Sequence, residues 1–216
     1  VYRGELRGAK THPLLVGVLS ARAYLKQLNY RAQLLLEKYA EPLSVLAMLK
    51  RFAYPARPLL LAWKLVLQNQ AHDSIYGSGS DPVHLDNESR FLQAISIASN
   101  VAYESARCFA EDLRGGRGLS IFVYNPSNWP RTDAVLVALP VEEYGKDLVA
   151  VDDEGNRLPL QVLEEKIFWR KVKLAVFVAK DVPPLGYKVY KLEEAEGVRQ
   201  LKPVELCVIE NEYFRV

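Results

Sequence analysis

The chain has 216 residues, of which 50% are apolar and 25% charged, with 28 Lys and Arg against 26 Asp and Glu. That composition excludes a disordered or fibrous chain, and the near-balanced charge leaves no basic footprint for nucleic acid. Two cysteines, Cys108 and Cys207, exclude a disulfide scaffold and a Cys-rich zinc module. Buried thiols are the favoured reading, with a single bridge between them left open. No run of about twenty apolar residues is present, so no membrane-spanning helix is expected. The first residue is Val1 and the single methionine is Met48. Both ends therefore read as cut from something longer, the last residues from Asn211 to Val216 resembling an interrupted strand.

The first half has helical periodicity. Leu25, Leu28, Ala32, Leu35 and Tyr39 recur at spacings of three and four, which predicts one helix face. Glu41-Pro42 is expected to end this helix, because proline disfavours helical geometry in the residue before it. A short helix is predicted from Pro42 to about Phe52, broken by Tyr54-Pro55-Ala56-Arg57-Pro58. The next helix, around Leu59 to Leu67, is apolar nearly all round and is expected to be buried on most sides. Ala71 to Ser80 reads as a loop. Asp81-Pro82 then marks a strong helix start, with Asp81 as cap and Pro82 in the first turn. Phe91, Ile95, Ala98, Ala102, Ala106 and Phe109 form the buried stripe of the long helix, which Gly115-Gly116 ends. This half is predicted to be a helical bundle.

The second half changes period. Leu119 to Tyr124 is a predicted strand followed by the turn chemistry of Asn125-Pro126-Ser127-Asn128. Ala134 to Leu139 is a continuous apolar run, read as a strand buried on both faces. Leu148 to Val151 and Leu158 to Leu163 flank a hairpin signal at Asp152 to Asn156. Ile167 to Ala179 reads as one long strand, carrying Arg170, Lys171 and Lys173. Pro183-Pro184 breaks it before Gly186 to Tyr190 resumes. Short strands divided by turns predict a β-sandwich.

Chemistry-bearing residues are few. His12, His72 and His84 are the only histidines. His12 precedes a proline in a turn and reads as plain surface. His84 reads as a hydrogen-bonding residue in a helix's first turn. His72 is set apart by its surroundings, Asn69-Gln70-Ala71-His72-Asp73-Ser74-Ile75-Tyr76-Gly77. There an apolar helix emerges into a glycine-containing loop, the kind of scaffold-held segment that carries function. A neutral imidazole is the commonest metal ligand. Asp73 is expected to point elsewhere and to accept hydrogen bonds from hydroxyls. A zinc site needs at least three protein ligands, and no second His or Cys lies at ligand spacing around His72. No phosphate loop or nucleophile elbow is present. Cys108 reads as a packed thiol and Glu164-Glu165-Lys166 as a solvated cluster. Trp129 reads as a sandwich-edge core residue, with stacking on a sugar as the alternative.

Several segments occur in one order: Gly4-Glu5-Leu6-Arg7, Ser20-Ala21-Arg22, Leu25-Lys26, Ala62-Trp63-Lys64, Asn69 to Ser78, Asp81-Pro82-Val83-His84 and Arg90-Phe91. That order and spacing resemble the glycoside hydrolase family 38 α-mannosidases, in their prokaryotic branch. Val123-Tyr124-Asn125-Pro126 is similar to the start of the family's first β-domain, and Glu210-Asn211-Glu212-Tyr213 to the entry of its C-terminal β-sandwich.

The resemblance implies an α+β, multidomain chain, a three-helix bundle followed by a β-sandwich. Residues 1–15 would be the tail of a catalytic barrel, 16–116 the bundle, 117–200 the sandwich, and 201–216 the start of a further β-domain. It implies a fragment of a retaining exo-α-mannosidase that uses zinc or another divalent metal. His72 matches the zinc-binding histidine, and Asp73 the neighbouring carboxylate, similar to a sugar-hydroxyl acceptor. Ala71 stands where animal members often have a second histidine. No catalytic residue is expected in this chain, because the nucleophile, the acid and the other ligands belong to the barrel. The implied partner is an α-mannoside or mannose-containing oligosaccharide, with no nucleic acid and no membrane, homo-oligomer formation left open, and a cytoplasmic setting. The alternatives are a mannosylglycerate hydrolase of the same family and a non-catalytic carbohydrate-binding or structural module.

Overall fold

The computed structural model describes residues 15–112, 119–140, 148–167 and 171–194, together with residues 1, 3, 8 and 213–215. His12, the Gly115-Gly116 helix stop, Trp169, Arg170, Cys207 and the segments expected at the two chain ends lie largely or wholly outside the described residues. The chain divides into two compact units, Val1–Arg114 and Gly115–Val216. The first is helical and the second is built of strands, which makes the fold α+β.

The helical unit consists of α1 (Ala23–Leu34), α2 (Glu41–Met48), α3 (Ala56–Gln68), α4 (His72–Tyr76) and α5 (Asp81–Asp112). Pro42 does not end the first helix. A π-helical segment, Leu35–Ala40, joins α1 to α2, and Glu41 keeps right-handed helical dihedrals. The Glu41 N–H reaches back five residues to the Leu36 carbonyl. That wider turn just before the proline lets the helix continue where an ordinary turn would clash. Three rods result: α1 with α2, then α3, then α5.

Their core holds Leu25, Ala32, Leu36, Ala62, Val66, Phe91, Ala94 and Ala98, all nearly inaccessible. Small residues on α5 let the rods approach closely, and Phe91 supplies bulk. α3 is not buried on most sides. It buries Leu59, Ala62 and Val66, one face at helical spacing, while Leu60, Leu61 and Leu67 stay exposed. Ser44 Oγ meets Ser105 Oγ at 3.1 Å inside the bundle and donates to the Ala40 carbonyl at 2.6 Å. This pairs polar groups that burial would otherwise penalise.

The second unit has β1 (Ser120–Tyr124), β2 (Arg131–Pro140), β3 (Leu148–Val151), β4 (Arg157–Pro159), β5 (Gln161–Ile167), β6 (Lys171–Val182) and β7 (Tyr187–Glu194). One sheet has the order β1-β7-β3-β4 and the other β2-β6-β5. The pairings among these seven strands are antiparallel. Side chains of both sheets meet in one core that includes Leu139, Ala150, Leu158, Ala175, Phe177 and Tyr190, the β-sandwich arrangement.

Three strand expectations change. β2 is not buried on both faces: Val135, Val137 and Leu139 turn inward, while Ala134, Leu136 and Ala138 lie on the exposed face. Ala and Leu at outward positions hid the alternation. The segment from Leu158 to Leu163 is not one strand either. It changes sheets at buried Leu160, leaving β4 as an edge strand, where Pro159 costs no ladder bond. The residues from Ile167 to Ala179 likewise split between β5 and β6, with Ile167 pairing with Lys171. The β3–β4 hairpin forms where Asp152 to Asn156 predicted it, with Gly155 at φ 84°. Trp129 is 60% exposed and is not a core residue.

Candidate functional site

The functional candidates sit where α3 gives way to α5. Asn69 closes α3, and its N–H bonds the Val66 carbonyl at 3.1 Å. Ala71 then takes an extended conformation, φ −50° and ψ 132°. The next five residues form a single helical turn, α4, so the expected loop from Ala71 to Ser80 contains a helix. The amides of Ser74 and Ile75 both bond the Ala71 carbonyl, which starts the turn. Gly77, at φ 85°, ends it in the left-handed region that favours glycine. The Ser78 N–H returns to the Asp73 carbonyl at 3.2 Å, and the Ser80 carbonyl receives the His84 N–H as α5 begins.

This turn presents His72 and Asp73 to solvent, their side chains 77% and 73% exposed. Asp73 does not point elsewhere. Its Oδ1 lies 3.4 Å from His72 Nε2 and accepts a hydrogen bond from Ser78 Oγ at 3.2 Å. When Nε2 carries the proton towards Asp73, Nδ1 keeps a free lone pair. The His72 ring also meets the edge of Tyr76, with centroids 6.1 Å apart. The pair thus offers an imidazole and a carboxylate side by side. Among the described residues no group of three or more His, Cys, Asp or Glu side chains converges as a metal site.

Two sets of residues hold the turn from behind. From the start of α1, Arg22 Nε donates to the Gly77 carbonyl at 3.2 Å and its Nη2 to Asp81 Oδ1 at 2.6 Å. Asp81 therefore spends its carboxylate on Arg22 rather than on capping α5. That bond, then one with Tyr24, pushes the Arg22 guanidinium further above its already high range. Lys26 Nζ donates to the Tyr76 carbonyl at 3.0 Å and the Ala21 carbonyl at 2.5 Å. Partial burial lowers the pKa of its ammonium.

Beneath the turn, Asn69 Nδ2 donates to the Asn87 carbonyl at 2.7 Å, and Arg90 Nη1 to Asn87 Oδ1 at 3.0 Å. His84, which the sequence reading placed as a hydrogen-bonding helix-start residue, is buried and meets Asn87 Nδ2 through Nδ1 at 3.3 Å. Among the described residues its Nε2 has no hydrogen-bond partner, and it faces Gly79, where an added Cβ would come within 3.3 Å. Sequence reasoning passed over Arg22, Lys26, Asn69, Asn87 and Arg90 as working residues. The available signal was the asparagine closing an otherwise apolar helix, since such a buried amide needs partners.

A family model described as the alpha mannosidase middle domain matches residues 14–109, a segment containing the whole turn and its supports. A putative mannosylglycerate hydrolase of Halalkalibacterium halodurans is 37% identical over 112 residues, covering 51% of this chain and 12% of that protein. Alpha-mannosidase 2C1 of Mus musculus is 30% identical over 141 residues, covering 64% of this chain and 13% of that protein. The chain thus spans about an eighth of these relatives. The crystal structure of an alpha-mannosidase from Enterococcus faecalis V583 superposes with a TM-score of 0.70 at 25% identity, covering 90% of this chain and 26% of that one. A second Enterococcus faecalis structure, described as a glycosyl hydrolase family 38 protein, gives the same TM-score at 24% identity and speaks for the fold alone. Residues 14–109 match the alpha mannosidase middle domain, and over this part the chain is similar to proteins named as α-mannosidases and as a putative mannosylglycerate hydrolase.

Proposed function

We propose that this chain is the part of a zinc-dependent, retaining exo-α-mannosidase that contributes His72 as one metal ligand and Asp73 as an acceptor for substrate hydroxyls. The observation that carries the reading is the exposed His72–Asp73 pair, held on a single turn within the matched middle domain. The donor set fits zinc in kind, since imidazole and carboxylate are ordinary zinc ligands, but not in number. The remaining ligands, the nucleophile and the general acid would come from the rest of a longer polypeptide. When bound, the metal would orient two sugar hydroxyls and support ring distortion.

Within this frame the chain's own residues bind and orient. His72 would donate a nitrogen lone pair. Asp73, steadied by Ser78 Oγ, keeps acceptor lone pairs open for a mannose hydroxyl. Both side chains are water-exposed here. They would need desolvation against another part of the protein before they bind strongly. The substrate class is terminal α-mannosides, in a cytoplasmic setting consistent with the sparse cysteines. A second reading, hydrolysis of mannosylglycerate, is favoured by the name of the Halalkalibacterium halodurans relative.

The chain alone is expected to lack turnover on a chromogenic α-mannoside and to show no tight stoichiometric zinc binding. Either activity would overturn the proposal. Profiling the intact enzyme on α-mannosides and mannosylglycerate decides between the two substrates.

A further inference from the structure

The turn that presents His72 and Asp73 has little burial to hold it in place. α4 is five residues long, one helical turn, and none of its residues is fully buried. So short a helix is not stable by itself. Ile75 packs only partly against the bundle core. Its position is instead taken up by two cations from α1. Lys26 Nζ reaches the Tyr76 carbonyl and Arg22 Nε the Gly77 carbonyl, the acceptors a helix end leaves unmet. Arg22 Nη2 continues to Asp81 at the first residue of α5. One guanidinium therefore ties the end of α4 to the start of α5.

The arrangement carries strain and desolvation. Arg22 sits at φ 47° and ψ 51°, in the left-handed region that a side chain of this size rarely occupies. Gly77 is left-handed too, and the Cβ, Cγ and Cδ of Arg22 stand 3.3 Å from where a Cβ at position 77 would be. The aliphatic stem of Arg22 thus packs flat against the glycine while its head binds the carbonyl. Lys26 is partly desolvated, and among the described residues its ammonium meets carbonyls rather than a carboxylate. Both features converge on the one exposed turn of the candidate site.

We propose that Arg22 and Lys26 are positioning residues, which clamp the carbonyl end of the 72–76 turn and so fix the direction in which His72 and Asp73 meet metal and sugar. This rests on the reading of those two residues given above. The test uses Arg22→Met and Lys26→Met, with Arg22→Lys as the conservative variant and Lys26→Gln as the milder one. Hydrogen exchange on this chain reads the Ile75, Gly77 and Ser78 amides, with the α5 amides from Phe91 to Val101 reporting that the bundle is folded. In the intact enzyme the readout is the rate of zinc release to a chelator, beside kcat and KM, with His72→Ala in parallel.

The expected result is turn exchange and zinc release each faster by about tenfold, the low end for residues that orient a ligand, with α5 protection intact and Arg22→Lys partly restored. Unchanged turn exchange in all four variants would overturn the clamp. Faster exchange with unchanged zinc release would also overturn it, provided His72→Ala loses zinc, since the cations would then serve only the fold. If His72→Ala retains zinc, the ligand reading fails, and the proposal, which rests on it, fails with it.

Discussion

Asn125 is the polar keystone of the strand-built unit, and replacing it by alanine tests the packing argument. The residue is 3% exposed and follows β1 directly. Its Nδ2 donates to the carbonyls of Trp129 at 2.8 Å, Val182 at 3.0 Å and Pro183 at 3.2 Å. Its Oδ1 accepts the Ser127 N–H at 3.0 Å. One side chain thus ties the β1–β2 connection to the β6–β7 connection. Asn125→Ala leaves the buried Val182 carbonyl without this donor, at about 1–3 kcal/mol. The remaining bonds are partly accessible, so water replaces some of their worth, about 0.5–1.5 kcal/mol each before replacement. The expected loss is about 2–4 kcal/mol, read as a lower urea midpoint for the β-unit transition. Asn125→Asp sharpens the test. Its carboxylate would face three carbonyls in a buried site, which raises its folded pKa above the unfolded value of about 3.9. A raised folded pKa gives relative stability at low pH that is lost as pH rises through it. The variant should therefore sit closer to wild type at pH 4 than at pH 7. An alanine variant within about 0.5 kcal/mol of wild type, or a pH trend of opposite sign, refutes the reasoning.

Other outcomes follow from the same structure. Gly77→Ala must hold a left-handed conformation and press on Arg22, so it should destabilise the helical unit by about 1 kcal/mol or more, measured by thermal unfolding. Phe91→Ala, 1% exposed in the bundle core, should cost about 3–5 kcal/mol in urea unfolding. Slight burial pushes the Asp152 carboxyl up, but hydrogen bonds from the Asn156 side chain and from the Asn156 and Glu154 amides outweigh it and hold the pKa low. The stability difference between wild type and Asp152→Ala should therefore persist at neutral pH. It should shrink as pH falls below about 4, through the depressed folded value. Urea titrations at several pH values check this.

What the sequence made legible was the periodic part. The face from Leu25 to Tyr39, the α5 stripe around Phe91 and the Asp152–Asn156 hairpin are local patterns, and local patterns can be read without a fold. Pro42 misled because the π-helical segment before it, Leu35–Ala40, takes up the proline without ending the rod. The exposed apolar residues of α3 and β2 misled because burial is decided by neighbours, not by a residue's own hydrophobicity. At the candidate site, His72 and Asp73 stood out as scarce chemistry. Arg22 and Lys26 carry no local signal of a role, because the Gly77 and Tyr76 carbonyls they hold lie about fifty residues away. Asn125 reads as turn chemistry, and nothing local signals that the carbonyls of Trp129, Val182 and Pro183 converge on it.

The central claim is that His72 is a metal ligand, and it is tested most directly by the metal content of the intact enzyme with His72→Ala. The variant and wild type are purified in zinc, dialysed without it and measured by atomic emission, with circular dichroism confirming the fold. The account expects near-stoichiometric zinc in wild type, a large loss in the variant with its fold intact, and a parallel loss of α-mannosidase turnover. A folded His72→Ala enzyme that keeps its zinc and its activity would contradict it.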